Sequence, residues 1–379
     1  MWWPLMNNAI TDEDKTKLIE FIKSTDHYTN GKKVKEFEDA WSNWLGCKNS
    51  LYVTSGSTAN FLLLASIKEL YNIPNGAKVL VPACTWVTNV APVFQLGLEP
   101  VFVDIDFNTF SFDISKLPDE EDISIVFITH LLGLNAPVEK LKEKYPNALF
   151  IEDICESHGV VGPDGRKRGF ETGSTFSFYY GHHMTTIEGG MVCTDDDNLY
   201  ELMKLKRSHG MARNLSPHNY EYNKKMYPHI DPRFMFLTDG YNFRNTELNA
   251  VLGLEQLKRL DNHIEIRRDN YKYFIENLDK NKFYVPPYDE GNSSFCFPFI
   301  CQCPEDKQKL SKILDELEVE TRPVVAGNLL IHPFLEKWKD SVEVPNATQL
   351  NACGLYVGNS QFVSKEMIHK VLETINNKW

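Results

Sequence analysis

Two adjacent imidazoles, His182 and His183, sit in the run Ser177-Phe-Tyr-Tyr-Gly-His182-His183-Met-Thr-Thr-Ile-Glu188-Gly189-Gly190. An imidazole exchanges protons near neutral pH, so this pair is the first place to look for acid/base work. Other candidates surround it in the chain. Thr54-Ser-Gly56-Ser57-Thr58-Ala-Asn60 joins an apolar run to a helical stretch and offers amides and hydroxyls to an anion, although such a turn also serves as a plain helix cap. Phe150-Ile-Glu-Asp153-Ile-Cys-Glu156-Ser-His158 ends an apolar run in carboxylates; an isolated acid there is also at home in solvent. Trp86, in Pro82-Ala-Cys-Thr-Trp86, reads as core or as a flat shelf for a ring. Asn242 and Arg244 lie in Asp239-Gly-Tyr-Asn242-Phe-Arg244-Asn-Thr-Glu247, where an Asn after Gly-Tyr is by itself a turn residue.

These residues need a frame. β-rich runs at 50–54, 79–82, 100–104, 124–130, 148–153, 175–178 and 190–194 alternate with helical stretches, which predicts a mostly parallel α/β sheet covered by helices. Ligands of such sheets gather at the carboxyl ends of the strands, where the candidate residues fall. From Thr246 to Leu278 one amphipathic helical pattern (Leu248, Val251, Leu252, Leu254, Leu257, Leu260) leads out of this body toward a smaller α/β unit. The expected division is a large domain over 1–245, with an N-terminal segment, and a small C-terminal domain over 246–379.

With 379 residues, 42% hydrophobic and 24% charged, the chain is long enough for two domains and a large core. A net charge of −12 argues against nucleic acid as the main partner. Apolar runs are too short to span a bilayer and the first residues lack a signal-peptide pattern, so the expectation is a cytoplasmic protein without a membrane partner. Of the eight cysteines, Cys296, Cys301 and Cys303 cluster, but they lie on a strand-like run and read as buried thiols rather than metal ligands. No metal site is expected. Lys206, Arg207, His209 and Arg213 form a basic stretch that suits a diphosphate, although a charge run is usually a solvated face.

The ordered set of segments resembles the DegT/DnrJ/EryC1/StrS family of sugar-modifying enzymes that use pyridoxal phosphate (PLP), over nearly the whole chain. That resemblance implies the type I PLP fold, the architecture of aspartate aminotransferase. It further implies that Gly56, Ser57 and Thr58 cradle the cofactor phosphate, that Trp86 stacks on the ring, and that Asp153 holds the pyridine nitrogen. Glu156 stands where a glutamine usually meets the ring hydroxyl, so that contact gains a charge. Asn242, with Ser177, is implied to reach the phosphate across a homodimer interface.

In the family segment Ser-Phe-x-Pro-x-Lys, the lysine binds PLP covalently; here His182 takes its place. A His-for-Lys exchange marks the family's sugar 3-dehydratases, and Gly327-Asn328-Leu-Leu-Ile-His332-Pro333 looks like their Gly-Asn-Leu loop. One kind of these enzymes carries an iron-sulfur cluster on a Cys-x-Cys-x7-Cys tail. Here the position eight beyond Cys303 is Ser311, so the cluster-free kind is implied. That kind takes an amino group from L-glutamate to form pyridoxamine phosphate (PMP), releases 2-oxoglutarate and ammonia, and removes the 3-hydroxyl of GDP-4-keto-6-deoxy-D-mannose. His182 is then the catalytic acid/base, with His183, Arg244 and Asn328 as substrate contacts. Two other readings stay open: a nucleotide-sugar aminotransferase whose lysine was replaced, and a non-catalytic protein on the PLP fold.

Overall fold

The computed structural model describes residues 2–119 and 122–379. Seven strands form the main sheet: β1 (Asn49–Val53), β2 (Lys78–Pro82), β3 (Glu99–Val103), β4 (Ile123–Thr129), β5 (Leu149–Asp153), β6 (Gly173–Ser177) and β7 (Gly190–Thr194), in the order β1-β7-β6-β5-β4-β2-β3. Each lies within about two residues of its predicted run. The sequences are near-continuous apolar runs because helices cover both faces, as a parallel sheet requires. From β6 to β3 neighbouring strands are parallel, whereas β7 runs antiparallel to both β6 and β1. The segment joining β6 to β7 carries no helix; Phe178 N donates to Gly189 O at 2.9 Å and Thr186 N to Phe178 O at 3.0 Å, which folds it back as a closed loop.

β1, β2, β4, β5 and β6 all point one way, so Ser55, Ala83, His130, Asp153 and Ser177 gather along one edge. Helices α1 (Asp12–Ser24) and α3 (Gly56–Leu70) start at capping boxes completed by Thr11 and Ser55, whereas α2 (Lys32–Leu45) has its first amides met by the Glu247 carboxylate. The single helix expected from 246 to 278 is instead two, Glu247–Leu257 and Leu260–Asn277. At the break Arg259 (φ −109, ψ −6) turns its guanidinium onto buried Asp14 at 2.7 Å.

A second, antiparallel sheet takes the order β10-β11-β9-β8 from β8 (Phe283–Tyr284), β9 (Cys296–Cys301), β10 (Thr321–Arg322) and β11 (Gly354–Gly358). Helix Leu260–Asn277 lays Phe274 on Phe299, ring centroids 5.2 Å apart, while Trp3 from the chain's start packs edge-on against Phe297 at 5.8 Å. Trp3 Nε1 also donates to Gly358 O at 2.9 Å. The N-terminal segment is thereby tied to the small sheet. Cys296 and Cys301 are buried thiols of β9.

Candidate active site

A cavity of about 390 Å³ opens at the carboxyl edge of the main sheet. Its floor begins at α3, whose first-turn amides belong to Gly56 and Ser57 and whose first turn holds no acid, leaving the positive end of the helix dipole for an anion. A Cβ on Gly56 would stand 2.7 Å from Ser177 Cβ and 2.9 Å from Cys155 Sγ, so only glycine lets β6 and the β5 end approach this turn. Ser177 lines the cavity beside it, whereas Thr58 turns its hydroxyl to the cap, 3.0 Å from the Ser55 amide.

Asp153 ends β5 with its carboxylate buried and held from two sides. Asn60 Nδ2 and Asn89 Nδ2 donate to Oδ2 at 2.7 and 2.8 Å, and the Cys155 amide donates to Oδ1 at 2.9 Å. The asparagines are fixed in turn: Thr175 Oγ1 donates to Asn60 Oδ1 at 2.5 Å, and Thr85 Oγ1 to Asn89 Oδ1 at 2.9 Å. With amides donating to both of its oxygens the carboxylate has a fixed direction, the condition for meeting a cationic N–H. Glu156 lies one turn on and accepts from the Leu132 amide at 3.1 Å. Burial pushes its carboxyl up to about 7, the Leu132 bond opposes this, and nearby Asp153 adds to it. The charge expected from Glu at this position is therefore only partly present at neutral pH.

His182 lines the cavity; His183 does not. The His183 ring is fully buried, with Nε2 3.2 Å from Ser293 O, so one peptide step turns the two imidazoles to different surroundings. Below them His158 and an aromatic layer of Trp41, Phe176 and Phe178 form the base, with the His158 ring stacked 6.4 Å from that of His182. Phe295 flanks His182 at 5.7 Å and Tyr179 at 5.9 Å. Burial pushes the His182 imidazole down to about 4, the backbone at Cys155 works against it, and the positive Arg267 adds to the fall. His182 thus arrives as a neutral base at pH 7, and its Nδ1 has no hydrogen-bond partner.

The far wall comes from the small sheet and its surroundings: Arg267, Phe295, Arg322, Tyr356 and Asn359. Phe295 is brought in by a tight crossing, since a Cβ on Gly133 (φ +84) would stand 2.3 Å from the Phe295 amide. None of these wall residues, nor Asn60 and Asn89, was singled out from sequence. Trp86 is placed at the cavity and is half exposed. Asn242 and Arg244 lie off it, Asn242 exposed and bridged to Ser208, Arg244 3.5 Å from His209. Asn328 is buried and spends its side chain on Thr348 and the Leu330 amide. The basic stretch is largely consumed: Lys206 pairs with Glu69 and Asp239, and Arg207 with Glu38 at 2.7 Å. Among the described residues no helix is long and apolar enough to cross a membrane.

The model of the DegT/DnrJ/EryC1/StrS aminotransferase family matches residues 8–376. The chain belongs to this family. A relative from Escherichia coli O55:H7, GDP-4-keto-6-deoxy-D-mannose 3-dehydratase, is 33% identical over 371 residues, covering 95% of each chain. Among solved structures, a His-to-Asn variant of a GDP-4-keto-6-deoxymannose-3-dehydratase with bound GDP-perosamine superposes with a TM-score of 0.89 at 30% identity, covering 98% of this chain and 100% of that one. The same kind of enzyme with a trapped PLP-glutamate geminal diamine gives 0.87 at 29% identity, with coverage of 98% and 100%. The fold is the one that PLP-dependent sugar aminotransferases and these dehydratases share.

The cavity of this DegT/DnrJ/EryC1/StrS member suits PLP. It offers an anion-binding helix start, a buried carboxylate held by amides, and an exposed indole face, each matched to one part of that cofactor. Among the described residues no lysine lines it.

Proposed function

We propose that this chain removes the 3-hydroxyl of a nucleotide-linked 4-keto-6-deoxyhexose, GDP-4-keto-6-deoxy-D-mannose, using PLP in its PMP form. L-Glutamate serves as amino donor, and 2-oxoglutarate and ammonia are released. The observation that carries this is a neutral imidazole, His182, facing a PLP-suited cavity that no lysine lines. An imidazole moves protons but does not bind an aldehyde as an amine does, so elimination is favoured over return of the amino group to the sugar.

PLP, when bound, supplies an electron sink. Asp153, held by Asn60 and Asn89, would meet the ring nitrogen and favour its protonated form, which deepens that sink. The start of α3, with Ser57 and Ser177, would hold the phosphate, and Trp86 would offer its indole to the ring. Glu156, partly neutral at pH 7, donates to the ring oxygen in that form. With the cofactor bound, the His182 imidazole would serve as the proton acceptor in the cavity and as the donor to the departing 3-hydroxyl; such assistance is worth about 10²–10⁴ in rate. Asn242, exposed, and Arg244, half-buried, lie off this cavity and serve the site of a second copy, which makes the working unit a homodimer. His183 supports the fold beneath His182 and Asn328 shapes the wall loop, while the division near residue 245 separates the cofactor-holding part from the wall. The enzyme works in the cytoplasm.

The test is mass analysis of products from a panel of nucleotide 4-keto-6-deoxy sugars with L-glutamate. The expected product from the GDP-linked manno sugar is its 3-deoxy form. An amino sugar as the main product would overturn it in favour of transamination, and no turnover of cofactor or sugar would favour the non-catalytic reading.

A further inference from the structure

The segment 3–9 is held at both ends and crosses the cavity between them. At Trp3 the amide donates to Glu318 O at 2.9 Å, the carbonyl accepts from the Glu320 amide at 2.9 Å, and the indole Nε1 is tied to Gly358 O. The Leu5 amide adds a bond to Glu320 Oε2 at 2.8 Å. At the other end Gln256 Nε2, from helix Glu247–Leu257, donates to Ala9 O at 2.8 Å. Between these anchors Leu5, Met6 and Asn7 line the cavity. Two glycines make room for the crossing. A Cβ on Gly358, at the end of β11, would stand 2.4 Å from Leu5 O, and a Cβ on Gly181 would stand 2.2 Å from Met6 Sδ and 2.7 Å from Met6 Cγ. Neither glycine has a left-handed φ, so close approach rather than backbone conformation calls for glycine here. The Met6 thioether therefore lies on the peptide that leads into His182.

We infer that Met6 is a positioning residue for His182: its side chain covers the Gly181 side of the imidazole and keeps bulk water from the base. His182 is half-buried, with Tyr179 and Phe295 on its flanks at 5.9 and 5.7 Å, His158 stacked on it at 6.4 Å, and its remaining side toward the cavity. An unbranched thioether fills an irregular gap of this kind with an apolar group. A base kept from water exchanges its proton with the bound molecule rather than with solvent, and it feels nearby dipoles more strongly. The titratable groups facing His182 are Cys155 and His158 from the β5 end, Tyr179 and His183 from its own loop, and Arg267 from helix Leu260–Asn277. Asp153, Glu156 and Glu188, with Arg322 and Tyr356, line the same cavity. Segment 3–9 brings no titrating side chain, so its effect on the imidazole is burial without charge. Burial is also the largest cause of the lowered His182 pKa. This role rests on the proposed use of His182 as the proton carrier.

The experiment titrates His182 by nuclear magnetic resonance in PMP-loaded wild type, Met6→Ala and Met6→Leu, each carrying carbon-13 in its histidine rings. The His182 signal is the one absent from His182→Asn. Removing the thioether should admit water and raise the His182 midpoint by about 1 pH unit or more, toward the ordinary imidazole value. Leucine, apolar and of similar volume, should hold the midpoint near wild type. An unchanged midpoint in Met6→Ala would reduce Met6 to a filler, and an equal rise in Met6→Leu would show that the apolar cover is not what sets the base; either overturns the inference. The readout does not use the reaction, so a raised midpoint in Met6→Ala, restored by leucine, supports the cover even where the enzyme makes no 3-deoxy sugar, a result that strikes the proposed function alone. If Met6→Ala does not fold, Met6→Gln, of the same length but hydrated, takes its place: the same rise supports the inference and an unchanged midpoint overturns it.

Discussion

Glu156→Gln should change how stability responds to pH. In the folded chain burial and Asp153 raise the Glu156 carboxyl from its ordinary 4.5 to about 7. Between those values the unfolded chain has lost a proton that the folded chain still holds, so stability falls as pH rises from about 4.5 to about 7 and then levels off. The gap corresponds to about 3 kcal/mol at 1.36 kcal/mol per pH unit. Glutamine keeps an acceptor for the Leu132 amide and does not titrate, so the variant escapes that loss. Taking about 2.1 cal/mol/K per residue, a chain of this length has an unfolding entropy of about 0.8 kcal/mol/K, which converts the gap to about 4 °C in Tm. The assay is thermal unfolding of cofactor-free wild type and variant followed by circular dichroism at pH 5, 6, 7 and 8. The advantage of the variant should open steadily with pH and reach about 4 °C by pH 8. A constant difference at all four values would refute the raised carboxyl and with it the partly neutral Glu156.

Asn60→Ala removes one of two amide donors to Asp153 and orphans Thr175 Oγ1; it should cost about 1–3 kcal/mol of stability by denaturant titration and weaken cofactor retention more than Asn89 alone can offset. Borohydride should fail to attach PLP to the native site, since no lysine lines it, and recovery of a stoichiometric pyridoxyl-lysine peptide would contradict the His182 assignment. Asn242→Ala should leave the fold and the mass in solution unchanged but loosen cofactor binding, measured by dialysis and absorbance; a fully active monomer would refute the shared site.

Much of the frame was legible because it follows local rules. Seven apolar runs bounded by turn residues located the strands, and the family resemblance then assigned Gly56, Ser57, Asp153, Ser177 and His182, which lie at or just beyond their ends. The second half of the cavity was not legible. Arg267, Phe295, Tyr356 and Asn359 come from elements remote in sequence, and nothing in Arg267, one of two adjacent arginines on an amphipathic helix, reveals that it will line the cavity. Asn60 and Asn89 look like ordinary helix and turn residues until β5 is placed between them. The 246–278 pattern hid a break because apolar periodicity continues across Arg259, whose turn is set by an ion pair with Asp14, far away in the chain. Lys206 and Arg207 left two readings open because a basic run carries no sign that Glu69, Asp239 and Glu38 already neutralise it.

The central claim is that His182 moves the protons. The direct measurement is the single-turnover rate of 3-deoxy product formation from GDP-4-keto-6-deoxy-D-mannose by PMP-loaded wild type, His182→Asn and His183→Asn. Asparagine keeps roughly the shape and removes the titrating ring, so His182→Asn should slow product formation by about 10² or more while His183→Asn stays near wild type. An unchanged rate in His182→Asn, with the loss appearing in His183→Asn, would contradict the account.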